Sequence, residues 1–131
     1  MLPKIQTIDH IHLYVSDKKL AVEWYETHLG FKIVDSLAFW NANGGPLTLE
    51  DESGEIHLAL FEREKFEKLT SLAFRTDGEN YLLWRKQLND KGFLKREADH
   101  QVTWSLYFED PFGHSHEITT YDYDLVKAAT E

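Results

Sequence analysis

The chain contains no cysteine, so disulfides, thiolate metal ligands and a cysteine nucleophile are all excluded. It has only three prolines in 131 residues and no low-complexity run. With 42% hydrophobic and 14% aromatic residues, a mainly disordered chain is excluded and a compact fold is expected. Positive charge is also scarce: 14 Lys and Arg face 23 Asp and Glu, a formal charge of −9. That balance repels phosphate backbones and anionic membranes, so neither is an expected partner. The cluster Lys91, Lys95, Arg96 is interrupted by Asp90, Glu97 and Asp99 and reads as a solvated face. No apolar run approaches the ~20 residues needed to cross a bilayer. "MLPKIQTIDH" has no apolar targeting core, and a cytosolic location is the expectation.

What the chain does have is alternation. In "IDHIHLYV", His10, His12 and Tyr14 fall on one face of a strand and Ile11, Leu13 and Val15 on the other. Ser16 and Asp17 offer an N-cap, Leu20, Ala21, Trp24, Tyr25 and Leu29 recur at helical spacing, and Gly30 supplies a stop. "FKIV", "PLTLE" and "EIHLALFE" then read as three strands, the last two joined by the turn "DESG". The same order follows again. "LTSLAFRT" is a strand, "DGENYLLWRKQLNDKG" a helix ending at Gly92, and "FLKREA", "VTWSLYFE" and "HEITTY" are strands. "EDESG" is echoed by "EDPFG".

This reading predicts an α+β fold of two tandem βαβββ modules, at about residues 5–62 and 68–121, forming a curved mixed sheet around a cleft within a single domain 1–131. The tail, residues 122–131, is expected as a short helix capped by Asp122 or Asp124. Tyr121, Tyr123 and Leu125 would then close the cleft, bury a dimer seam, or hang on a loose tail. Trp24, Trp84 and Phe31 suit the core, whereas Trp40 and Trp104 could face either way.

"DHIHLYVSD", "EWYETHLGF" and "YFEDPFGHSHEI" resemble, in order and spacing, the vicinal oxygen chelate superfamily. That superfamily includes glyoxalase I, fosfomycin-resistance enzymes, extradiol dioxygenases and bleomycin-resistance proteins. The resemblance implies up to four ligand positions for a divalent metal, falling here on His10, Leu58, Ser71 and Glu117. It also implies a homodimer. Two of the four positions carry conventional ligands, and Ser71 stands where three-ligand branches place a histidine.

A third donor is therefore sought. His12 shares a face with His10 about 7 Å along the strand, and His10, His12 and Glu117 would make a two-histidine, one-carboxylate set suited to iron or manganese, with nickel and zinc also open. His12 as cleft lining is the competing reading. Matching "DESGEIHL" to "DPFGHSHE" turns His57 to the opposite face, unless a one-residue bulge reverses it. The same parity turns His114 and His116 away from Glu117. Tyr14, Ser71, Arg75 and Tyr121 are in phase with the candidate ligands and are expected to touch substrate. Arg75 as a cation neutralising neighbouring acids is equally open.

Two functions follow from the resemblance. One is a lyase, isomerase or dioxygenase that uses the metal as a Lewis acid on an oxygen-chelating small molecule, with Glu117 at the catalytic centre. The other is a metal-free ligand-binding protein of the bleomycin-resistance type. A fosfomycin-type transferase is a narrower third option, weakened by Ser71 and by the absence of a clear set of phosphonate-binding cations.

Overall fold

A computed structural model describes all residues, 1–131. The chain divides into two compact units, Met1–Glu67 and Lys68–Glu131.

The first unit contains β1 (His10–Val15), α1 (Lys18–Leu29), β2 (Lys32–Ile33), a short 3-10 helix (Asp35–Trp40), β3 (Leu47–Glu50) and β4 (His57–Glu62). Its sheet runs β1-β4-β3-β2, with β1 parallel to β4 and the other pairs antiparallel. Of the two N-cap candidates it is Asp17 that caps α1, and Gly30 stops it. Asp17 accepts a hydrogen bond from Leu20 N at 3.0 Å, a cap whose loss costs about 1 kcal/mol. Gly30 ends the helix at φ 75°, in the left-handed region open to glycine. α1 lays Ala21 and Tyr25 on the sheet face that carries Leu13, Val15, Leu58 and Leu60, all fully buried. Each buried leucine or valine side chain contributes roughly 1.5–3 kcal/mol.

The second unit contains β5 (Leu72–Arg75), α2 (Gly78–Asp90), β6 (Arg96–Asp99), β7 (Trp104–Glu109), β8 (Ser115–Thr120) and α3 (Tyr123–Thr130). The order β5-β8-β7-β6 repeats the first unit's topology. Tyr81 and Leu88 of α2 join Leu106, Phe108 and Ile118 in its core.

α3 is not a loose tail. Val126 is fully buried, Tyr123 stacks on Trp104 at 5.8 Å, and its hydroxyl donates to Asp99 Oδ2 at 2.8 Å. Asp122 occupies the N-cap position of α3 but makes no side-chain cap there. Its carboxylate instead accepts from Gly78 N at 2.6 Å, in the first turn of α2, whose N-cap is Asp77.

Strand ends are shorter than the sequence suggested. "FKIV" pairs only through Lys32 and Ile33, and the residues after it wind into the 3-10 helix instead of staying extended. No helix is long and apolar enough to cross a membrane.

Candidate functional site

In the first unit, strand register lays polar side chains across the sheet in rows. Glu50, His57 and His10 are cross-strand partners on β3, β4 and β1, and Thr48, Ala59 and His12 form the next row. His57 therefore shares the face of His10, reversing the parity read from the sequence. The cause is one residue in the preceding turn. Asp51 N bonds to Ile56 O, five residues on, whereas the matching turn of the second unit closes from Asp110 N to His114 O, four residues on. Asp51 shapes the longer turn by accepting from Glu55 N and Ile56 N, bonds that also hold its carboxyl below the usual range against the opposing effect of burial. The extra residue places Leu58 among the fully buried residues on the helix side. By turn and register, Ala59, not Leu58, is the counterpart of Glu117.

His10 and His12 converge. Their rings stack at 5.0 Å with an interplanar angle of 25°, and their Nε2 atoms stand 3.0 Å apart. Behind them, His10 Nδ1 lies 2.8 Å from Asp9 Oδ2. A carboxylate only accepts, so Nδ1 is the donor and a neutral His10 presents a lone pair at Nε2. For an ion bound at ~2.1 Å, adjacent octahedral ligands are ~3.0 Å apart, and the His10–His12 separation fits such an edge. Within neither unit are three or more His, Asp or Glu side chains gathered into a ready metal cluster.

Beside this pair lies a pocket of about 250 Å³ with walls from Leu37, Trp40, Pro46 and Ala59 and polar atoms from the three histidines, Thr48 and Asp9. Tyr14 sits outside that lining. It stacks on Phe61 at 5.2 Å, with the Arg63 guanidinium 5.8 Å from its ring.

In the second unit, Glu117 shares a row with Ala73, Tyr107 and Arg96. Its Oε2 accepts from Ser105 Oγ at 2.6 Å, and Ser105 Oγ also lies 3.1 Å from Thr119 Oγ1. Ser71 is exposed just before β5. Arg75 stacks its guanidinium on Tyr121 at 4.4 Å, and neither is buried. His114 and His116 are buried on the opposite face. His114 Nδ1 accepts from Leu69 N at 2.9 Å, and His116 lies between the rings of Phe74 and Phe108.

Sequence reading missed Ser105, Thr48 and the pocket role of Trp40. Ser105 had a visible signal: in "WSLYFE" it is the small polar residue out of phase with Trp104, Leu106 and Phe108. Thr48 and Trp40 had none, because their partners come from distant strands.

The chain matches the family model described as "Glyoxalase/Bleomycin resistance protein/Dioxygenase superfamily" over residues 7–118. It belongs to that superfamily. Among its relatives, metallothiol transferase FosB of Bacillus licheniformis is 29% identical over 126 residues, covering 89% of this chain and 77% of that protein. FosB of Staphylococcus saprophyticus is 30% identical over 122 residues, 88% of this chain and 78% of the relative. A solved lactoylglutathione lyase from Agrobacterium tumefaciens shares the fold of this superfamily member at a TM-score of 0.73 and 18% identity, over 92% of this chain and 97% of that one. The FosX structure from Listeria monocytogenes does so at a TM-score of 0.72 and 16% identity, over 94% and 99%. The superfamily and the metallothiol transferase relatives support a metal-dependent enzyme in general terms.

Proposed function

We propose that this chain is an enzyme that acts on a small, oxygen-bearing molecule with a divalent metal, for which His10, His12 and Glu117 are the candidate ligands. The supporting observation is the 3.0 Å approach of His10 Nε2 to His12 Nε2, with Asp9 Oδ2 2.8 Å from His10 Nδ1. Two imidazoles already turned to a common point, with the outer nitrogen of one anchored by a carboxylate, are what an imidazole-bound ion needs from its surroundings. Glu117 is the candidate carboxylate, and its Oε2 accepts from Ser105 Oγ.

When bound, the ion would act as a Lewis acid, stabilising negative charge that develops on a substrate oxygen. The protein's own work is orientation. Asp9 sets the tautomer of His10, Ser105 holds the Glu117 carboxylate, and the apolar wall around Trp40 excludes water from one side of the substrate. We propose the cytoplasm as its location and a homodimer as its assembly.

The test is calorimetric titration at pH 7.5 with manganese, iron, nickel and zinc, for the wild type and for His10→Ala, His12→Ala and Glu117→Ala. One ion per chain, weakened at least about tenfold in each variant, is expected. No ion bound by the wild type would overturn the metal reading. Unchanged binding in His12→Ala would remove that residue from the ligand set.

A metal-free binding protein is the second reading, favoured by Ser71 at an otherwise histidine position and by the pocket beside Trp40.

A further inference from the structure

The pocket wall that carries Leu37, Trp40 and Pro46 comes from one stretch between β2 and β3. Packing does little to hold it. Its 3-10 helix buries none of its residues, and Phe39 and Trp40 stay 73% and 47% exposed. A segment with so little apolar burial opens locally unless other bonds keep it in place.

Those bonds converge on the turn between Trp40 and Pro46. Asn41 N donates to Ala38 O, Ala42 N to Trp40 O and Gly45 N to Ala42 O. Gly45 lies so close to the Trp40 carbonyl that a Cβ there would collide with it, so whatever fixes Gly45 also fixes the backbone of Trp40. From outside the turn, Lys18, the first residue of α1, donates from Nζ to Asn41 Oδ1 at 2.6 Å and to Gly45 O at 2.7 Å. Hydrogen bonds from a charged donor are shorter and about twice as strong as neutral ones. Arg63 adds a longer contact, from Nη2 to Gly44 O at 3.3 Å. The helix that presents Lys18 is itself anchored. Asp17 caps its first turn, and Lys18 N donates at 2.9 Å to Oε2 of Glu62, the last residue of β4. The ammonium therefore ties a poorly packed turn to a well-packed helix.

We infer that Lys18 is the positioning residue of this pocket: its ammonium holds the turn 41–45 and, through it, the wall made by Trp40 and Pro46. The place where the apolar side of a substrate can lie is then set from α1, by a residue that does not itself line the pocket. The inference deepens the proposed function, and rests on it only in taking this wall as the one that meets substrate.

The test exploits the lack of native cysteine. Lys18→Cys is alkylated at its thiol with 2-bromoethylamine, which rebuilds an ammonium side chain of lysine's length, or with 1-bromopropane, which builds a neutral one of the same length. Metal-free, ¹⁵N-labelled protein is followed through the Trp40 indole signal, assigned with Trp40→Phe, and through hydrogen exchange of the Gly45 amide. Unmodified Lys18→Cys is expected to move the Trp40 signal and to speed Gly45 exchange at least about tenfold, with the indole signals of Trp24, Trp84 and Trp104 in place. The aminoethyl adduct should restore both readouts, and the propyl adduct neither.

Wild-type Trp40 and Gly45 behaviour in unmodified Lys18→Cys would overturn the inference. Restoration by the propyl adduct would assign the effect to packing of the stem and remove the ammonium from it. Movement of all four indole signals together would show a general loss of structure in place of a positioned wall. None of these readouts needs a bound ion, so failure of the metal reading, seen as absent ion binding by the wild type, is distinguishable from failure of this one.

Discussion

Ser105 donates its hydroxyl proton to Glu117 Oε2 across 2.6 Å, joining neighbouring antiparallel strands through side chains on one sheet face. Ser105 is almost wholly buried and Glu117 is half-buried, so the bond limits which way the carboxylate turns. Replacing Ser105 with Ala should cost about 1 kcal/mol of stability, measurable by urea denaturation. If Glu117 holds an ion, the same change should weaken metal affinity by ~10-fold or more, a loss that calorimetry would read. Full retention of affinity would show that Glu117 needs no orienting partner or is not a ligand.

His116 makes the fold sensitive to acid. Burial lowers its pKa to about 4 from 6.5, against a smaller opposing effect of Asp110, 4.0 Å away. The unfolded chain therefore binds a proton in a range where the folded chain does not, and stability falls as pH drops from about 6.5 toward 4. The full effect is of order 3 kcal/mol. Urea denaturation at pH 7.5 and 5.0 should show the loss in the wild type and less of it in His116→Gln. Equal losses would assign the acid sensitivity to other groups.

Two glycines separate strain from collision. At Gly30, φ is 75° and a Cβ would meet nothing within 4 Å, so Gly30→Ala should cost only about 1–2 kcal/mol, from the left-handed backbone. At Gly45 a Cβ would strike the Trp40 carbonyl, which must move with the pocket wall. Gly45→Ala should therefore destabilise more and alter Trp40 fluorescence, while Gly30→Ala leaves that emission unchanged.

Tyr81 should resist alkali. Its ring is fully buried and its hydroxyl donates to Glu97 Oε2 at 2.8 Å. Burial first, then that bond, raises its pKa well above 10. Absorbance titration of the folded protein should leave this tyrosine un-ionised until unfolding, and Tyr81→Phe should remove that late step. The substitution should also cost about 1–2 kcal/mol, with Arg85 still beside Glu97 at 3.3 Å. Early ionisation of every tyrosine would contradict the buried bond.

The repeated βαβββ order, the Asp17 cap, the Gly30 stop and the outward turn of His114 and His116 from Glu117's face were legible because each depends on local period or local capping. Trp104 was left open because its place is set by Tyr123, which reaches it only after α3 folds back. The turn into β4 misled the sequence comparison because "DESG" and "DPFG" look equivalent, while hydrogen bonding makes the first turn one residue longer.

The sequence by itself determined the class of fold, the superfamily and the presence of His10, His12 and Glu117, since periodicity, caps and motif spacing are written in neighbouring residues. Only the tertiary structure decided that His57 joins the face of His10, that Ala59 stands between Thr48 and His12 in one row, and that Ser105 holds Glu117. Those relations depend on which residues stand opposite one another across a sheet, and a shift of one residue moves every side chain to the other face.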